Sequence, residues 1–275
     1  MKKRLIAILA IGMLLNIGVN TKLEAASAGE AVSGKMSTYV IAPKASVSQV
    51  TTDLKANGFQ VLTSHKVGSS TSIVFTSPSL KKMASKKNRG FAAVLRALVS
   101  GNKVVITNPL YFSKAYMQSN YNDADAKAVL SSLNKTFPSL KNSKDALKKS
   151  KLSGYQFMMG MPYYEDMDIV GKGDNKSLLA KAKASGKMVF SLKLNNGSTL
   201  VGIKLSKGTE KFANKIGSAN AGVLPYTVLI EKGKAKALAP KYNIALYYPL
   251  LSMSQFMTIS SIPGEIVSEL EALFK

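Results

Sequence analysis

The sequence predicts an α+β fold: two tandem two-layer α/β sandwich modules, each β-α-β-β-α-β-β-α plus a final helix, forming an internal pseudo-dimer. Three observations carry this. The stretch Phe59-Gln-Val-Leu-Thr-Ser-His-Lys-Val-Gly68 returns as Met188-Val-Phe-Ser-Leu-Lys-Leu-Asn-Asn-Gly197. Ser100 to Tyr111 matches Glu231 to Tyr242, with Pro109 and Pro240 in register. Both pairs are offset by about 130 residues, too long for a solenoid repeat and suited to two small domains.

The elements of the first copy follow from periodicity. Ser37 to Ile41 reads as a strand. Ser46 to Asn57 reads as a helix, with Val47, Val50 and Leu54 on one face, Ser46 to cap it and Gly58 to stop it. Phe59 to Val67 alternates as a strand, Gly68-Ser-Ser turns, and Ser72 to Thr76 returns. Ser79 to Lys87 is a lysine-rich helix. Ala92 to Val99 and Lys103 to Thr107 form a hairpin about Gly101-Asn102. A helix follows from about Leu110 to Gln118. Asp123 then opens another, with Ala126, Val129, Leu130, Leu133 and Phe137 on one face.

The second copy repeats the order. Tyr155 to Met161 is its opening strand and Asn175 to Ser185 its first helix, ended by Gly186. Met188 to Leu194 pairs with Leu200 to Leu205, and Val223 to Ile230 with Lys234 to Ala239. Its last helix lines up Ile262, Ile266, Val267, Leu270 and Phe274, with Pro263 near the start and Glu265 in the first turn. The modules span residues 29–140 and 152–275. Between them, residues 141–151 are dense in lysine and serine and read as a linker.

The chain opens Met1-Lys-Lys-Arg4, continues with an apolar run from Leu5 to Val19, and exits through Ala26-Ser-Ala28. That layout is a secretory signal peptide, residues 1–28, cleaved near Ala25–Ala28. The run is short for a membrane span, which wants about 20 residues, and an uncleaved anchor is the alternative. The destination is periplasmic or secreted. There are no cysteines, so no disulfide supports the fold and burial must stabilise it.

The formal net charge is +23. Lys2, Lys3, Arg4, Lys22 and Glu24 lie within residues 1–28, so the remainder keeps 34 of 38 basic and 14 of 15 acidic side chains, a formal +20. Such a charge attracts anions. Export makes nucleic acid a poor partner, whereas an anionic lipid or envelope polymer suits it. Beyond the leader only Arg89 and Arg96 are arginines. Lysine is a solvated point charge, so diffuse solvation is favoured over bidentate recognition.

Two motifs bring a family to mind. One is the hairpin leading to a proline and a helix, Val223-Leu-Pro-Tyr-Thr-Val-Leu-Ile230 through Pro240; the other is a strand entered through Gly58-Phe59. In these the chain resembles the family called domain of unknown function 302. The first copy departs from the pattern, with Val94-Leu-Arg96 where the second has the Leu224-Pro225 pair. The resemblance implies a compact two-layer sandwich that self-associates, and it brings no catalytic residues.

Candidate sites are few. His65 is the single histidine and its counterpart in the second copy is Leu194, which argues for a structural role. Tyr111 and Tyr116 in one copy and Tyr242, Tyr247 and Tyr248 in the other, with Arg96, pack or line a cleft between the copies for an amphipathic anionic ligand. Phe157 to Asp168 is the oddest stretch. Its Met161, Glu165, Asp166, Met167 and Asp168 are candidate metal ligands, Cu(I) for the thioethers, weighed against core packing and a polar loop. Met158 and Met159 point to opposite faces if the segment is a strand. No cysteine nucleophile, G-x-S-x-G elbow, P-loop or dinucleotide fingerprint is present, so a non-enzymatic protein without cofactor is expected. The sequence therefore reads as an exported binder of a lipid-like ligand or, alternatively, an envelope protein held to anionic surfaces by its lysines.

Overall fold

The computed structural model describes residues 27–275, so the expected signal peptide lies outside the described residues except for its last two positions. The chain is mixed α and β with antiparallel sheets. The first half runs β1 (Lys35–Ser37), β2 (Tyr39–Pro43), α1 (Val47–Ala56), β3 (Gln60–Val67), β4 (Ser70–Thr76), α2 (Pro78–Ala84), β5 (Leu95–Ser100), β6 (Lys103–Thr107), α3 (Pro109–Met117) and α4 (Asp123–Thr136). Two short strands follow, β7 (Lys141–Asn142) and β8 (Ala146–Lys148). The second half runs β9 (Asp168–Lys172), α5 (Asn175–Ala184), β10 (Met188–Lys193), β11 (Thr199–Ile203), α6 (Lys207–Glu210), α7 (Phe212–Ile216), β12 (Tyr226–Glu231), β13 (Lys234–Ala237), α8 (Pro240–Tyr247), α9 (Met253–Met257) and α10 (Ile262–Phe274).

The first sheet has the order β3-β4-β5-β6-β2-β7 and the second β10-β11-β12-β13-β9. Apart from β7 the two orders correspond strand for strand. Helices cover one face of each sheet: α1 lies on β3 and β4 beside α4, and α5 lies on β12 and β13 beside α10. Short polar side chains start the helices by accepting free backbone amides: Ser46 for α1, Ser77 for α2, Asp174 for α5. Pro109 and Pro240 open α3 and α8 at the position where a missing N–H costs nothing.

Four expectations are corrected. Tyr155 to Met161 is not a strand; the opening strand of the second sheet is β9, which pairs with β13. Tyr155 and Phe157 instead turn towards Tyr242 and Phe256, so aromatic packing overrides alternation. Residues 141–151 are not a bare linker, since β7 pairs with β2 and β8 with β1. Both hairpins start later than expected because Gly90–Ala93 and Ser218–Val223 are 3-10 turns. The α4 cap is Asn122, whose side chain accepts from the Asp125 amide, with Asp123 already helical.

Those two 3-10 turns explain how the halves meet. Gly90–Ala93 packs on β11 and β12, and Ser218–Val223 packs on β4, β5 and β6. Each half thus inserts its turn against the other's sheet, and one continuous apolar core runs through both.

Candidate functional site: a methionine and tyrosine groove

The tyrosines form the seam between the halves. Tyr39 donates to the Tyr247 carbonyl at 2.5 Å, Tyr111 to the Leu246 carbonyl at 3.0 Å and Tyr116 to Asn243 Oδ1 at 3.1 Å. Tyr242 returns a bond to the Ala115 carbonyl at 3.4 Å. Arg96 donates from Nη1 to the Tyr247 hydroxyl at 2.5 Å and from Nη2 to the Pro225 carbonyl at 3.3 Å. All of these side chains are buried. Burial pushes the tyrosine phenols above their usual range, so they are neutral hydroxyls.

The cleft expected between the copies is thus filled, at Tyr111, Tyr116, Tyr242, Tyr247 and Arg96, by the two halves themselves. Their clustering after the two hairpins suggests packing or a cleft but cannot show that the opposing half supplies the hydrogen-bond partners. Tyr248 differs. It is buried, yet its hydroxyl has no partner among the described residues.

The candidate metal ligands are dispersed. Glu165 pairs with Arg89 at 2.7 Å, and Asp166 Oδ2 accepts from the Tyr163 amide at 2.8 Å. Asp168 sits in β9, where burial and then the nearby Glu271 carboxylate raise its carboxyl above the usual range. Met161 and Met167 pack against the core. Among the described residues no three His, Cys, Asp or Glu side chains are grouped to hold a metal ion. Glu165 is instead part of the seam, because Arg89 also stacks on Tyr164 at 4.9 Å.

The open concavity lies beside this segment. A groove of about 700 Å³ is lined by Tyr155, Phe157, Met158, Tyr163, Leu251 and Met253, with Lys148 and Lys151 among its walls. Its builders come from distant parts of the chain. Lys148 ends β8; Lys151 lies in the 3-10 turn Lys149–Gly154; Met253 begins α9, which is fixed by a Ser252–Gln255 capping box. Phe157 and Phe256 pack at 5.5 Å between ring centres and join the two walls.

The groove and its surroundings carry unusual apolar exposure. Met159 is 98% exposed, Leu250 63% and Met257 60%, with Met158, Tyr163 and Met253 also open. Met158, Tyr163 and Met253 are open within the groove itself, beside Lys148 and Lys151. Sequence reasoning singled out Phe157 to Asp168 but not Lys148, Lys151, Leu251 and Met253, which only the fold brings to it.

A second, smaller cavity of about 180 Å³ adjoins the groove, since Leu251 lines both. Its walls include Asp145, Asn220, Tyr248 and Gln255. Comparison with family models, curated proteins and solved structures finds no match to this chain. Among the described residues no helix is long and apolar enough to cross a membrane.

Proposed function

We propose that this protein is an exported, non-enzymatic component of the cell envelope that binds an amphipathic anionic, lipid-like ligand. On this reading it consists of two copies of one α+β module, related to the domain of unknown function 302 family, packed as an internal pseudo-dimer. The equal strand orders and the reciprocal 3-10 turns support the duplication. The observation that supports the binding function is the groove of about 700 Å³, whose lining combines Met158, Tyr163 and Met253 with Lys148 and Lys151. Flexible thioethers adapt to an alkyl chain, tyrosines suit a boundary between apolar and wet, and ammonium groups attract a phosphate or carboxylate.

The ligand site is therefore proposed at this groove rather than in the tyrosine seam. The experiment is native mass spectrometry of the protein purified from its own envelope. A bound lipid-sized mass, absent from a Met158→Glu/Met253→Glu variant, is expected; both side chains are partly open, so the variant should fold. No adduct in either protein sinks the reading.

A second reading keeps one specific support. Met159, Leu250 and Met257 are too exposed to line an enclosed site, and with the surrounding lysines they suit contact with an anionic membrane surface. Liposome binding lost at high salt, without any co-purified ligand, would favour this surface role.

A further inference from the structure

The geometry points to a second binding site, separate from the groove, for a short chain of phosphates. It is the basic concavity where the β3–β4 turn of one half meets α6 and α7 of the other.

Both halves build its walls. Lys66 lies near the end of β3 and Gly68 in the turn that follows, while Lys204 leaves β11, Lys207 opens α6, Lys211 joins α6 to α7 and Asn214 lies in α7. Two contacts between the halves set the walls in place. His65 Nε2 lies 2.9 Å from Glu210 Oε1, and a Cβ on Gly68 would lie 3.2 Å from Asn214 Oδ1, so the turn rests directly on α7. The concavity measures about 410 Å³ and shares no lining residue with the groove.

Its charge is uncompensated. Lys127, Lys149, Lys187 and Lys236 each pair with a carboxylate. Lys66, Lys204, Lys207 and Lys211 pair with none among the described residues, and all four are exposed. Glu210 is the single carboxylate of the lining. It is turned inward, to His65 and to the Leu205 amide at 3.2 Å, and its side chain is 11% exposed. Like charges gathered about one opening repel one another, and an anion lying among them relieves that repulsion.

The residue types then select the anion. No arginine lines the wall, so no planar fork is offered to a carboxylate. An ammonium is a compact point charge and answers to charge density, which phosphate supplies. Four of them, from both halves, suit several phosphates held on one chain better than a single ion. The Asn214 amide adds an uncharged N–H donor.

Tripolyphosphate, orthophosphate and citrate are titrated by calorimetry into the mature protein at low salt. Tripolyphosphate should bind tightest, by about tenfold or more. Lys207→Gln/Lys211→Gln should weaken it about tenfold to a hundredfold, the worth of one or two charged hydrogen bonds. Lys176→Gln/Lys183→Gln removes the same charge from two exposed lysines of α5 that do not line the concavity, and should change binding less than about twofold. Without ligand, both variants should keep the native thermal midpoint, because none of these lysines is paired with a carboxylate among the described residues. Equal weakening in the two variants overturns the site in favour of diffuse attraction by the whole charge. Orthophosphate or citrate binding as tightly as tripolyphosphate overturns the phosphate-chain class. Absence of tripolyphosphate binding overturns the site outright. Each of these results leaves the groove reading standing, since neither variant touches its lining.

Discussion

His65 Nε2 lies 2.9 Å from Glu210 Oε1, joining two side chains 145 positions apart across the seam. The histidine is 5% exposed and the glutamate side chain 11%. Glu210 Oε1 also accepts from the Leu205 amide at 3.2 Å, so the carboxylate is held from both halves.

His65→Leu should destabilise. It strands a nearly buried carboxylate, at a cost of about 1–3 kcal/mol. Urea unfolding should show a lower midpoint for His65→Leu and partial recovery in His65→Leu/Glu210→Leu. An unchanged midpoint in the single variant would show that the contact contributes nothing.

Lys236 and Glu231 form a buried pair at 2.7 Å, closed by Asn88, whose backbone amide donates to both Glu231 oxygens and whose side chain accepts from Lys236 at 2.6 Å. Removing one partner leaves an uncompensated buried charge. Lys236→Met should therefore cost about 3–5 kcal/mol, and adding Glu231→Gln should restore most of it. Thermal unfolding of the single and double variants checks this.

Alkali should unfold the protein. Ten of the eleven tyrosines are raised above the usual phenol range, chiefly by burial. The unfolded chain then releases these protons at a lower pH than the folded one. Stability is full below the ordinary tyrosine pKa of about 10 and falls as pH rises above it. Tyrosinate absorbance should appear together with loss of circular dichroism above about pH 10. Free titration of most tyrosines with the fold intact would contradict the seam.

Two glycines should respond in opposite directions. A Cβ on Gly90 would lie 2.3 Å from Leu229 Cδ1 in the other half's sheet, so Gly90→Ala should cost about 1–3 kcal/mol by overpacking the seam. Gly264, inside α10, has nothing within 4 Å. Gly264→Ala should gain about 0.5–1 kcal/mol by helix propensity. Calorimetric midpoints of the two variants give the comparison.

By itself the sequence determined the α+β class, the hairpins about Gly101 and Gly233, a helix after Pro109, and the inward faces of α4 and α10. These depend on local periodicity and on turn and cap chemistry, which neighbouring residues express. Tertiary structure decided the rest. Periodicity marks a side chain as buried without naming what buries it, so Tyr111 and Tyr242 read equally well as a ligand cleft or as a seam. It placed the second sheet's opening strand at Tyr155, where aromatic contacts with Tyr242 and Phe256 bend the chain out of the sheet, and it missed β9 at Asp168. The groove was beyond its reach for the same reason. Lys148, Met158 and Met253 belong to three segments, which the β8–β1 pairing and the packing of Phe157 on Phe256 bring to one surface.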